Sequence, residues 1–248
     1  MAEPGALAVE IRSTTVLPAI REDISLTTED GLTLVGQLAL PVSGEVAATL
    51  VTLHPLPTHG GFMDSHVLRK AAWRLPYLAG IAVLRFNTRG THSPRGTSEG
   101  HFDGGVAEGA DVRAAVDFVA SRGLPHRWLL GWSFGTDLAL TYGSGLNVEG
   151  AILLSPPLMR ARDDDIAAWQ SSGKPVVALV PEHDEFLTPA EARERFGPFP
   201  AVKVIACEGA QHLWVGERYV RWVLDRVVES VAPEKAPLAT EVRAEVVA

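Results

Sequence analysis

Residues 129–140 read LLGWSFGTDLAL, and within them Ser133 stands between Gly131 and Gly135 in a G-x-S-x-G pentapeptide. A serine hydroxyl is a weak nucleophile until a base takes its proton, and it must be offered to substrate without steric cover. A sharp strand-to-helix bend achieves this when the residues two before and two after are small, because a Cβ at either place would crowd the strained serine. Gly131 and Gly135 meet that need, and the helix after the bend would turn its positive end toward the site. The bland reading is a chance match in a chain that holds 23 glycines. What separates the two is whether the rest of the chain supplies an acid, a base and an oxyanion site.

The acid is sought at the carboxyl end of a later strand, where parallel strands open onto a ligand crevice. PVVALVPEHDEF places Glu182, His183, Asp184 and Glu185 there, and Asp184 is chosen because its short side chain holds an imidazole most rigidly. Asp163, Asp164 and Asp165 are the reserve. The base follows in the order Ser, Asp, His. AVKVIACEGAQHLW supplies His212, 28 residues beyond Asp184, which leaves room for one helix and one strand between them. An oxyanion site needs two backbone N–H groups aimed at the developing charge. Phe134, just after the serine, is one donor. The other is sought in LHPLPTHGG; because Pro55 and Pro57 have no N–H to give, Leu56 is the donor expected there. Trp132 reads as core, Phe134 as partly exposed beside the nucleophile, and Trp214 as a substrate-binding residue at the rim. No histidine falls in a metal-ligand spacing, so no metal and no cofactor are expected.

These residues need a scaffold. ATLVTL (48–53), IAVLRF (81–86), RWLLGW (127–132), GAILLS (150–155), PVVALV (175–180) and AVKVIA (201–206) are short, nearly continuous apolar runs. Such runs belong to parallel strands buried on both faces. Val112, Ala115, Val116 and Val119 share one face of a helical pattern over 106–121, as do Val220, Val223, Leu224, Val227 and Val231 over 214–231. Before them, EDISLTTEDGLTLVGQLALP alternates about Asp30-Gly31 as a hairpin does. The sum is a wound α/β fold with an antiparallel hairpin at one edge. Residues 87–105 form a long Gly- and Ser-rich connection of the kind that is functional or mobile. Residues 156–174 have room for one short helix, DDDIAAWQ, and none for a large cap. Residues 1–21 and 233–248 carry little periodicity and are expected to be loosely held.

Composition is ordinary for a globular domain, with 46% hydrophobic and 21% charged residues. The net charge of −8 argues against a nucleic-acid surface. A single cysteine, Cys207, permits no internal disulfide and fits a reducing cytoplasm. No apolar stretch is long enough to span a bilayer, so no membrane partner is expected.

HPLPTHGGFMDSHV, AVLRFNTRGTHSP, FDGGVAEGADVRAAVDFV, GWSFG, PEHDEF and GAQH together resemble the α/β-hydrolase superfamily across residues 22–232, and most of all its small cap-less bacterial branch related to dienelactone-hydrolase-like and prolyl-oligopeptidase-like proteins. The resemblance implies an eight-stranded, mostly parallel sheet with helices on both faces, and a triad of Ser133, Asp184 and His212 that hydrolyses an acyl bond of a small-molecule substrate. True dienelactone hydrolases use a cysteine nucleophile where this chain has serine. An esterase is the default reading, with thioesterase and peptidase as alternatives in the same fold. A non-catalytic module that binds a ligand or protein in the same crevice is the rival from another class. A dinucleotide-binding enzyme is disfavoured, since Gly143-Ser144-Gly145 follows a helix and lacks a third glycine.

Overall fold

The structure, a computed structural model, describes residues 7–246. Strands β1 (Ile20–Thr27), β2 (Thr33–Leu40), β3 (Ala48–Leu53), β4 (Ile81–Phe86), β5 (Arg127–Trp132), β6 (Gly150–Leu154), β7 (Val176–His183) and β8 (Val202–Gln211) form one sheet in the order β1-β2-β4-β3-β5-β6-β7-β8. The β1/β2 hairpin joins the rest antiparallel through β2 and β4; every later pairing is parallel. All residues of β3, β4 and β6 are buried, which is why these strands read as nearly continuous apolar runs and not as alternation.

Helices α1 (His66–Ala79), α2 (Glu108–Ser121), α3 (Phe134–Gly143), α4 (Asp163–Ser172), α5 (Pro189–Phe196) and α6 (Glu217–Val231) cover both faces. On one side Val67, Leu68, Ala71 and Leu75 of α1 pack with Val220, Val223, Leu224 and Val227 of α6. On the other, Val112, Val116 and Val119 of α2 join Leu138 of α3, Trp169 of α4 and Phe196 of α5. The 156–162 connection leads straight into α4, and no cap domain interrupts the described chain there.

Two expectations about loops differ from the structure. The described parts of the stretches expected to be loose, 7–21 and 233–246, are tied together. Ala8–Glu10 pairs antiparallel with Glu241–Arg243, and Ile11, Leu17 and Val242 form a small buried cluster. A three-residue ribbon is invisible to periodicity because its partner lies at the other end of the chain. Residues 1–6 and 247–248 lie outside the described residues. The 87–105 connection is also pinned. The Arg89 guanidinium grips Asp111 of α2 at 2.8 and 3.0 Å and Asp30 of the hairpin turn at 2.8 and 3.2 Å. Thr33 N–H donates to Glu99 Oε2 at 2.6 Å. The bonds from Arg89 and from the Thr28 hydroxyl hold the pKa of Asp30 down to about 2.

Candidate functional site

Ser133, Asp184 and His212 are each the first residue after a strand, β5, β7 and β8 respectively, so the topology delivers all three to one edge of the sheet. The bend at Ser133 has φ 51° and ψ −116°, a left-handed conformation that L-residues rarely adopt. The flanking glycines make it possible. A Cβ on Gly131 would lie 2.4 Å from the Gly135 carbonyl oxygen, and a Cβ on Gly135 would lie 2.1 Å from that of Leu53. The bend is therefore folded tightly on itself and against the tip of β3.

The structure brings these three side chains within hydrogen-bond distance. Ser133 Oγ is 2.9 Å from His212 Nε2, and His212 Nδ1 is 3.0 Å from both carboxylate oxygens of Asp184. A carboxylate can only accept, so Nδ1 carries the proton, and Nε2 is left to accept from the serine hydroxyl. Asp184 is fixed in turn by its own loop: the N–H groups of Phe186 and Leu187 donate to Oδ1 at 2.9 and 3.4 Å. Asp184 and His212 are buried, whereas Ser133 is half-buried. Of the reserve acids, Asp163 pairs with Arg195 and Asp165 caps α4; neither meets His212.

A second set of contacts, which the sequence reading missed, holds the backbone of the histidine. Ser155 Oγ and Trp132 Nε1 both donate to the His212 carbonyl oxygen, at 3.0 and 3.3 Å, and both residues are buried. Ser155 is the residue after β6 and itself sits at φ 50°. Nothing in LLSPP marks a serine for that task; only its place at a strand end could have suggested it.

The 54–61 loop leaves β3 beside the bend. Leu56 precedes a single turn of 3₁₀ helix, Pro57–His59, and its carbonyl accepts from His59 and Gly61. Its N–H donates to no acceptor among the described residues, nor does that of Phe134 at the start of α3. Leu53 pairs with Gly131 across β3 and β5, so Leu56 lies three residues past one strand position and Ser133 two past its neighbour. His54 anchors this loop. Its Nδ1 donates to Pro55 O at 2.7 Å, and its Nε2 accepts the Thr88 N–H at 3.1 Å. Burial pushes its pKa down to about 4, so the ring stays neutral and can accept that bond.

Two side chains differ from expectation. Phe134 is 2% exposed, not half-open, because two loops close on it. Phe102 meets its ring edge-on at 5.5 Å, and the Arg160 guanidinium lies 5.0 Å over it. Arg160 is aimed by its own backbone, since the N–H groups of Arg160 and Ala161 donate to the buried Asp137 carboxylate at 3.3 and 3.1 Å. Trp214 is fully buried and cannot line a substrate pocket at the rim. With φ 52° the chain turns its indole inward to stack on Trp222 at 5.8 Å. Its neighbours Leu213 and Val215 are the exposed ones. Among the described residues no three His, Cys, Asp or Glu side chains gather as metal ligands would, and no helix is long and apolar enough to cross a membrane.

No family model matches the chain. An uncharacterized protein of Rickettsia prowazekii is 28% identical over 162 residues, which span 64% of this chain and 66% of the relative, just under two thirds of its length. Among solved structures, a Xanthomonas campestris α/β serine hydrolase without a lid is 26% identical with a TM-score of 0.71, over 90% of this chain and 99% of that one. A Coxiella burnetii α/β serine hydrolase homologue is 24% identical with a TM-score of 0.72, over 85% and 97%. A Pyrococcus furiosus esterase shares the fold at 19% identity and a TM-score of 0.66, over 85% and 90%. With the strand order, the tight serine bend and these likenesses taken together, the chain belongs to the α/β-hydrolase superfamily.

Proposed function

We propose that this protein is a serine hydrolase that cleaves an ester-like bond of a small-molecule substrate through an acyl-enzyme on Ser133. The observation that carries the reading is the unbroken chain from Ser133 Oγ to His212 at 2.9 Å and from His212 to Asp184 at 3.0 Å. As Ser133 attacks the carbonyl carbon, His212 Nε2 takes its proton, and Asp184 stabilises the imidazolium without itself being protonated. The carbonyl oxygen becomes an oxyanion, which the N–H groups of Phe134 and Leu56 are free to hold. Losing one such donor typically raises the barrier by ~2.7–4 kcal/mol. His212 then returns the proton to the leaving alcohol. Water, activated by the same imidazole, attacks the acyl-serine and regenerates the hydroxyl.

The solved structures named as serine hydrolases and as an esterase support the same reaction class for this chain. The test is labelling by a fluorophosphonate together with turnover of activated short-chain esters. Wild type is labelled and active, while Ser133→Ala is neither, yet melts at the wild-type temperature. A chain that resists the probe at Ser133, or a Ser133→Ala variant that still hydrolyses esters, overturns the proposal in favour of a non-catalytic binding role.

A further inference from the structure

In such a reaction the base gives its proton back to the leaving group, so the alcohol portion of an ester must pass beside the imidazole. The side chains around that imidazole therefore select the alcohol. Phe186 lies against it with ring centroids 4.6 Å apart and planes tilted by 58°, yet Phe186 remains 47% exposed. It is not a loosely placed aromatic, because its own N–H donates at 2.9 Å to the Asp184 carboxylate that orients the base. Leu213 and Val215, directly after the histidine, are 55% and 67% exposed on either side of the inward-turned Trp214. Phe186, against the imidazole itself, and Leu213 and Val215, one and three residues past it, are large apolar groups left in the open, and such groups beside a reactive centre mark a contact surface. Beside Phe186 in sequence, Glu182 and Glu185 are exposed and acidic and disfavour a phosphorylated group, while Arg218, three residues past Val215, turns its guanidinium to the Tyr219 hydroxyl at 2.6 Å. The cation Arg160 belongs to another wall, over Phe134.

We propose that Phe186, Leu213 and Val215 form a leaving-group subsite that selects esters of neutral, apolar alcohols over esters of small or phosphorylated ones. The inference rests on the serine-hydrolase reading of the same site. Its test holds one acyl group constant and measures kcat/KM for methyl, butyl, benzyl and 2-phosphoethyl esters, with fluorophosphonate labelling run in parallel. One well-seated apolar group is worth roughly 10–200-fold in such comparisons. Wild type prefers the benzyl to the methyl ester by at least about tenfold and disfavours the 2-phosphoethyl ester. Phe186→Ala lowers the benzyl-to-methyl ratio about tenfold. Tyr77→Ala, an exposed aromatic at the opposite end of the sheet, leaves that ratio unchanged. A labelled wild type with a ratio near one, or a Phe186→Ala protein that keeps the wild-type ratio, overturns the subsite and leaves the hydrolase reading intact. Absence of labelling overturns both.

Discussion

Gly135→Ala adds one methyl group at the place where the bend meets β3. That carbon would start 2.1 Å from the Leu53 carbonyl oxygen, whereas real Cβ contacts essentially never fall under 3.0 Å. The two segments must therefore separate by about 0.9 Å, the difference of those distances. The obstacle is backbone on both sides, so no side chain can swing away. Leu53 leads directly to Leu56, and Gly135 directly follows Phe134. The displacement thus falls between the two N–H groups proposed to hold the oxyanion. A misplacement of that size costs about 100-fold in rate, or about 2.7 kcal/mol of barrier. Overpacking of a tight interior also costs about 1–3 kcal/mol of stability, which in a chain of this length lowers the melting temperature by about 2–4 °C per kcal/mol. Gly145→Ala is the matched control, since nothing lies within 4 Å of a Cβ there. The assay pairs ester turnover and the fluorophosphonate labelling rate with thermal unfolding for both variants. Gly135→Ala is slow in both reactions and melts early, while Gly145→Ala matches wild type. Labelling of Gly135→Ala at the wild-type rate would show that the bend does not set the spacing between the two donors, and the reasoning would fail.

Three further predictions concern groups that act behind the serine. Asp184→Asn leaves the loop bonds in place but offers His212 Nδ1 a donor where it needs an acceptor, so the wrong tautomer is favoured and turnover falls by about 10⁴-fold; a loss under tenfold in ester kinetics would remove Asp184 from the triad. Ser155→Ala takes one of two donors from the His212 carbonyl oxygen, so kcat drops about tenfold at constant KM. A kcat equal to that of wild type would mean that the hydroxyl plays no part. His54 connects pH to stability. Its folded pKa of about 4 lies below the ordinary 6.5, so only the unfolded chain takes up a proton as the pH falls between those values. The stability it supports is fully present above pH 6.5 and lost toward pH 4, by about 3 kcal/mol. In His54→Gln, with no titrating ring, the loss of stability from pH 7 to pH 4.5 is smaller by about 2 kcal/mol, read as a decline in melting temperature shallower by about 4–8 °C, and parallel curves would refute the assignment.

The scaffold was legible wherever burial was two-sided. Ala48–Leu53 and Ile81–Phe86 are mostly apolar, with Thr49, Thr52 and Arg85 the exceptions, because helices cover both faces of the sheet, and their limits could be read directly. Legibility failed where polar residues are satisfied by distant partners. α1 includes the buried cations Lys70 and Arg74 and an internal Pro76, an unpromising helix in isolation. Glu217, at the start of α6, pairs with both cations across 147 and 143 residues. The carboxyl halves of β7 and β8 contain Glu182, His183, Glu208 and Gln211, polar residues that belong to the sheet only through backbone pairing. Chain order sufficed to name Ser133, Asp184 and His212, which meet in space. Whether Trp214 or its neighbours face outward rests on a single backbone torsion, and whether Phe134 is covered rests on two loops closing from elsewhere. No local pattern encodes either.

That torsion is one of a set. Among the described residues, five that are not glycine have positive φ: His126, Ser133, Ser155, Leu158 and Trp214. Each such placement costs about 1–3 kcal/mol, so it persists only where the surroundings over-determine it. Four of the five lie just past the carboxyl ends of β5, β6 and β8, and one lies at the other end of the sheet. The strain is held by continuing the parallel ladder through the bend: Ser133 N–H still donates to Leu154 O at 2.9 Å, and Ser155 N–H to Leu179 O at 3.0 Å. A bend held in this way cannot relax when substrate arrives, because relaxing would break a bond to the neighbouring strand. The Ser133 hydroxyl and the Ser155 hydroxyl that holds the His212 carbonyl are therefore positioned by the same device, one strand apart, and the rigidity that the proposed chemistry needs comes from the sheet and not from the loops.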